Sequence, residues 1–110
     1  MDRLPKTLKV GGLKYKVNST QKAAKALLDG HDAWGLTDRT KQTVTIDNDL
    51  LPDNARRVWL HELMHLAATP SGLDKAWGDQ EEEYVSRMSY ALHQVFNDNP
   101  AAVKFLCPTN

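Results

Sequence analysis

His61-Glu62-Leu63-Met64-His65 lies inside a largely apolar run, residues 58–68, that no glycine or proline interrupts. On an α-helix, residues four apart share a face and stand about 6 Å apart along the axis. Two imidazoles at that spacing can reach one zinc ion at its usual ~2.0–2.1 Å bond length. Glu62 projects about 100° round the helix from His61, at the rim of the same face. From there it can accept a proton from metal-bound water without becoming a ligand. The alternative reading is a pair of core histidines on a buried helix. That arrangement would oblige each ring to find a polar partner away from water.

The neighbouring residues set the bounds of this helix. Pro52 suits a first turn, where its missing N–H would be unpaired in any case, and Asp53 favours the same end through the helix dipole. The helix is expected to end before Pro70-Ser71-Gly72. Apolar residues point nearly all round it, as in a buried central helix.

Upstream, Leu8-Lys9-Val10, Gly11-Gly12 and Leu13-Lys14-Tyr15-Lys16-Val17 read as a β-hairpin with a two-residue turn. Leu13, Tyr15 and Val17 would share its core face. Asn18-Ser19-Thr20 offers N-caps for a short helix over residues 21–28, with Ala24, Leu27 and Leu28 inward, stopped by Gly30. Residues 33–37 and 43–47 read as two further strands. In the second, Val44 and Ile46 alternate with threonines, as in a half-buried strand.

Downstream, residues 73–79 form a connector whose large apolar group is Trp77. A last long helix covers residues 80–97, with Val85, Met88, Leu92, Val95 and Phe96 on one core stripe. Asp98-Asn99-Pro100 ends it, and residues 101–106 allow one more turn. The expected class is α+β: a short antiparallel sheet packed on a central helix and a C-terminal helix.

A catalytic zinc takes three protein ligands and a water. His61 and His65 supply two, and the third must come from another element. The candidates are His31, His93, Glu81, Glu82, Glu83 and a few aspartates. At about 100° per residue, Glu81 falls near the middle of the Val85/Met88/Leu92 stripe, Glu82 a quarter-turn away, and Glu83 toward solvent. A lone carboxylate heading an apolar stripe calls for a cation, so Glu81 leads and Glu82 is the reserve. The other reading of the three glutamates is favourable charge at a helix N-terminus. His93 could hydrogen-bond a zinc ligand or help hold an oxyanion, or it is an exposed helix residue. Tyr84 and Tyr90 are possible oxyanion donors. Asp47 or Asp49 could accept from the imidazole N–H groups.

Composition narrows the function classes. The chain has 110 residues, enough for one core without disulfides. Its single cysteine, Cys107, excludes an internal disulfide and a cysteine-based zinc site. Formal charge is zero, yet residues 1–41 carry nine Lys/Arg against four Asp. That basic half raises the option of a DNA-associated regulator, although no nucleic-acid motif accompanies it. Without a signal-like start or a long apolar span, a cytoplasmic location is expected.

His61-Glu62-x-x-His65, the later helix opening on Glu81-Glu82, and Asn99-Pro100 near the end resemble the small zincin-like metallopeptidases of phages and mobile elements. These are relatives of the ImmA/IrrE-type peptidases and the minigluzincins. The resemblance covers residues 8–100 and implies a single zincin-like domain over residues 1–110, binding Zn2+. It implies a gluzincin arrangement, with the third ligand on the helix after H-E-x-x-H, and an edge strand beside the active-site helix. Residues 43–47 are the candidate for that strand, where extended substrate would pair by main-chain hydrogen bonds. The expected activity is hydrolysis of peptide bonds by a water that zinc and Glu62 activate. A specific protein target is expected, as in repressor cleavage, in the host cytosol if phage-encoded. The competing expectation is a non-catalytic phage or mobile-element binding protein that keeps the fold and a structural zinc.

Overall fold

The computed structural model describes residues 4–19, 35–47 and 52–109. The expected helix over residues 21–28, together with His31 and Asp49, lies outside the described residues. The class is α+β. Four strands are described: β1 (Thr7–Val10), β2 (Leu13–Asn18), β3 (Gly35–Asp38) and β4 (Thr43–Ile46). They are followed by helices α1 (Pro52–Ser71), α2 (Leu73–Trp77), α3 (Glu81–Asp98) and α4 (Pro100–Leu106), with a 3-10 turn at Gly78–Gln80 between α2 and α3.

The hairpin forms as its alternation and turn residues predict. β1 and β2 pair antiparallel with Val10 opposite Leu13, and the two turn glycines both have positive φ. Tyr15 is buried and Val17 half-buried, whereas Leu13, beside the turn, is exposed.

The sheet order is β1-β2-β4-β3. β2 and β4 run parallel while β3 returns antiparallel to β4, so the sheet is mixed rather than antiparallel. This arrangement places β4 in the interior. Its peptide groups face a neighbouring strand on each side, which overturns the expectation that residues 43–47 form the free edge. Its burial follows from the same position. Val44 and Ile46 are fully buried, and Thr45, on the opposite face, is buried as well. Among the described residues the edge strands are β1 and β3, and β3 is the one beside His61 and His65 of α1.

α1 lies on the sheet through β3, β4 and β1, and on α3. The core joins Tyr15, Val44, Ile46, Val58 and Leu66, flanked by Leu4, Leu8, Val10 and Trp59. Burying an aliphatic side chain of this kind stabilises by about 1.5–3 kcal/mol.

α1 runs two residues further than expected. Pro70 removes one backbone donor but falls in the last turn, where the helix persists without it. The stop is Gly72, in the left-handed region at φ 80°. Ser71 Oγ donates to the carbonyls of Ala67 and Ala68 at 2.8 and 3.2 Å, serving two of the last-turn acceptors.

In α3 the buried line is Val85 and Ser89, with Leu92 and Phe96 half-buried. Met88 and Val95, expected on the core stripe, are exposed. The apolar period is the same, but α3 meets α1 along a line that a serine can approach closely. α4 begins at Pro100, its first helical position, after Asn99 Nδ2 donates to the Val95 carbonyl at 2.8 Å. No helix among the described residues is long and apolar enough to cross a membrane.

Candidate metal and active site

His61 and His65 project from the middle of α1 toward the opening turn of α3. Their ring centroids are 4.9 Å apart and their Nε2 atoms 3.2 Å apart. His65 Nε2 stands 2.7 Å from Glu82 Oε2, and His61 Nε2 stands 3.0 Å from Glu82 Oε1. Behind the site, His65 Nδ1 stands 2.7 Å from Glu81 Oε2.

The two glutamates therefore take different places. Glu81, which the stripe argument ranks first as third ligand, sits on the back nitrogen of His65. Glu82, the reserve, brings its carboxylate to the nitrogens that face out. His61, His65 and Glu82 form a group whose candidate ligand atoms all lie within 4.8 Å of one another. Glu83 points away and pairs with Arg87 at 2.8 Å.

The donor chemistry of this cluster tests whether a metal fits. A neutral imidazole carries one N–H, and with that hydrogen on His65 Nδ1, toward Glu81, Nε2 is a bare lone pair. It faces a carboxylate oxygen and a second imidazole nitrogen at hydrogen-bond distance. Atoms so rich in electrons repel one another unless a cation lies among them. That cation is either a proton or a metal ion. Two donors on one tetrahedral zinc stand about 3.3 Å apart, from its ~2.0–2.1 Å bonds, close to the spacing between the two Nε2 atoms. Two imidazoles and a carboxylate are a ligand set that zinc accepts. A carboxylate on the far ring nitrogen is the usual outer partner of such a histidine. The residues fit a divalent metal.

Glu62 is 6 % exposed. Its Oε1 accepts from Thr37 Oγ1 of β3 at 2.7 Å, while Oε2 faces His61 Nε2 at 4.0 Å. A buried carboxylate needs donors, and the hydroxyl tethers one oxygen while the other is turned to the histidines. Gly35 makes that tether geometrically possible. A Cβ there would come within 2.7 Å of Val58 Cγ1 and 3.0 Å of Glu62 Cγ. Only a glycine lets β3 lie this close to α1. Arg39, in the loop after β3, holds the same two elements together by donating from Nη2 to the His65 carbonyl at 2.5 Å.

These groups line a cavity of about 750 Å³ between β3, α1 and α3. Its walls include Thr37, Arg39, Arg57, Ser86 and Tyr90 as well as His61, Glu62, His65 and Glu82. Tyr90, one of the two expected oxyanion donors, is on this wall. Tyr84, the other, stacks on Trp77 with ring centroids 5.6 Å apart, and neither of these aromatics lines the cavity. His93 lies outside it too, in a smaller recess beside Asp53 and Asn97. Asp47 follows β4 and is not on the wall.

Sequence reasoning missed Thr37, Gly35 and Arg57. A single threonine or glycine in a strand carries no signal of what lies across from it. Arg57 was legible in principle, since it falls four residues before His61 on the same helical face as both histidines.

Comparison of the chain with family models, with curated proteins and with solved structures gave no match. The geometry alone carries the functional argument.

Proposed function

We propose that this protein is a zincin-like zinc metallopeptidase, a hydrolase of peptide bonds. The observation that carries the reading is the convergence of His61 Nε2, His65 Nε2 and the Glu82 carboxylate on one point, with the buried Glu62 carboxylate beside it at the wall of an open cavity. His61, His65 and Glu82 would hold the metal, and Glu81 would orient His65 through Nδ1. A zinc ion held there would acidify a water and polarise a carbonyl.

The protein's own groups account for the proton's path. Glu62 Oε2 is free of the Thr37 tether and turned to the histidines, placed to take a proton from water and pass it to the leaving amine. Thr37 keeps the carboxylate in that orientation. Tyr90, on the cavity wall, offers a hydroxyl for the developing oxyanion. Beside the cavity, β3 borders the sheet among the described residues and can pair with an extended peptide by main-chain hydrogen bonds. The substrate is accordingly a peptide or a protein segment in extended form.

Three converging protein ligands leave a tetrahedral ion one open position, which favours catalysis over a structural zinc, normally closed by four. The alternative, a binding protein with a retained metal, is separated from this reading by one experiment. Zinc-loaded protein is offered a quenched-fluorescence peptide library, and the same is done with Glu62→Gln. Wild type is expected to cleave, and the variant to keep its zinc while losing at least a hundredfold in rate. Zinc bound with no cleavage by wild type would leave the binding-protein reading. Failure to bind zinc at all would remove both.

A further inference from the structure

One cation on the cavity wall is not used by the chemistry above. Arg57 lies one helical turn before His61 on α1, so the two positions share a face and stand about 6 Å apart along the axis. Its guanidinium is held from two sides. Nη2 donates to Asn54 Oδ1 at 3.2 Å, and the guanidinium carbon stands 5.8 Å from the centre of the Tyr90 ring. The contact with Tyr90 ties α1 to α3 at the wall of the cavity, and both residues line it. Among the described residues no carboxylate pairs with Arg57, although two carboxylates, Glu62 and Glu82, are on the same wall. Those two are engaged by Thr37 and by the histidines.

The charge balance of the cavity points the same way. Arg39 and Arg57 offset Glu62 and Glu82, so a divalent cation among the histidines leaves the wall net positive. Arg39 is already committed to the His65 carbonyl. Arg57 has most of its five donors left, presented as a planar fork, the shape that matches a carboxylate by two parallel hydrogen bonds.

We infer that Arg57, braced by Asn54 and Tyr90, is the recognition site for a substrate carboxylate. The preferred substrate is then a peptide with a carboxylate close to the scissile bond. This rests on the metallopeptidase reading for its chemistry, and the second of the two readouts below is independent of that reading. Arg57 and His61 stand one helical turn apart on α1, and both line the cavity. Successive Cα atoms of a peptide are about 3.8 Å apart, so the carboxylate that meets the guanidinium belongs to a residue close to the scissile bond. The carboxylate is either an Asp or Glu side chain or a free C-terminus.

Two readouts test this on zinc-loaded full-length protein. The first compares kcat/KM for twin peptides differing as Glu against Gln beside the cleaved bond, and for twins ending in a free carboxylate against an amide. A charge-assisted fork favours the carboxylate twin by about 10- to 100-fold, and the pair that shows the preference identifies its source. Arg57→Met is expected to bring the ratio to about one, and Arg57→Lys to restore only part of it. The second readout is binding: the Arg57 Nε–H signal in NMR is followed during titration with N-acetylglutamate amide or its glutamine counterpart. It is expected to shift with the first ligand and not with the second.

Cleavage of twins at equal rates, or a preference unchanged in Arg57→Met, overturns the inference while leaving the peptidase reading intact. No cleavage of any peptide, with the Arg57 signal still shifting on the carboxylate ligand alone, does the reverse. An Arg57 signal that both ligands move equally, or neither moves, in a protein that cleaves nothing overturns both.

Discussion

His65 carries a carboxylate on each ring nitrogen, Glu81 at Nδ1 and Glu82 at Nε2, both at 2.7 Å. The two glutamates are sequence neighbours, yet a rotation of about 100° between them sends one behind the imidazole and the other in front. Their substitutions should therefore differ in kind. Glu82→Ala removes a proposed ligand, whereas Glu81→Ala removes the group that orients one. Outer partners of metal ligands are worth about 10–100-fold in affinity. Zinc affinity, measured by chelator competition, is expected to fall by that much in Glu81→Ala and by more in Glu82→Ala. The opposite order would make Glu81 the ligand. The helical wheel alone favoured Glu81, because it records direction about one axis. It cannot record that α3 meets α1 along Val85 and Ser89, with Met88 turned outward.

At the scale of elements, the contact between β3 and α1 decides whether Glu62 is positioned. Thr37 reaches Glu62 only because Gly35, two residues earlier on the same strand face, has no side chain to hold the strand off. Gly35→Ala puts a methyl group against Val58 Cγ1 at 2.7 Å. Overpacking of this kind costs about 1–3 kcal/mol. The urea midpoint is expected to fall accordingly at unchanged slope, and an unaltered midpoint would show that the strand yields without strain. The elements themselves were largely readable in the chain. The Gly-Gly hairpin, the Pro52 helix start and the Asn99-Pro100 break all follow from local backbone preferences, and all appear. The order of the strands does not. Residues 43–47 look like a half-exposed strand because threonines alternate with aliphatics, but they occupy the interior of the sheet and bury Thr45 as well. Threonine is a β-branched residue that fits either face, so its presence does not distinguish an edge from a centre.

For the whole molecule, the proposed ligand cluster joins α1 to α3, so metal binding there would be a matter of stability. The α1–α3 contact brings together residues 61 and 65 with residues 81 and 82. An ion bound only by the folded chain stabilises it by about 2.7 kcal/mol at a hundredfold excess over its dissociation constant. The melting temperature is expected to rise with added zinc and drop with chelator. The rise should shrink in mildly acidic solution, because imidazole and carboxylate ligands must be deprotonated to bind and protons compete with the ion. Calorimetry with and without chelator at both pH values checks this, and a melting temperature indifferent to zinc would remove the site.

The chain by itself determined the helix that carries His61, Glu62 and His65, the hairpin, the α+β class and the short list of candidates for the proposed third ligand. These depend on periods and breakers that act within a few residues. Tertiary structure alone decided that Glu82 faces the histidines, that Thr37 tethers Glu62, and that Arg57 stands over Tyr90 on the cavity wall. Each of those pairs is separated by 17 to 33 residues along the chain. What joins them is the close approach of packed backbones, a property of the fold's volume that local sequence does not encode.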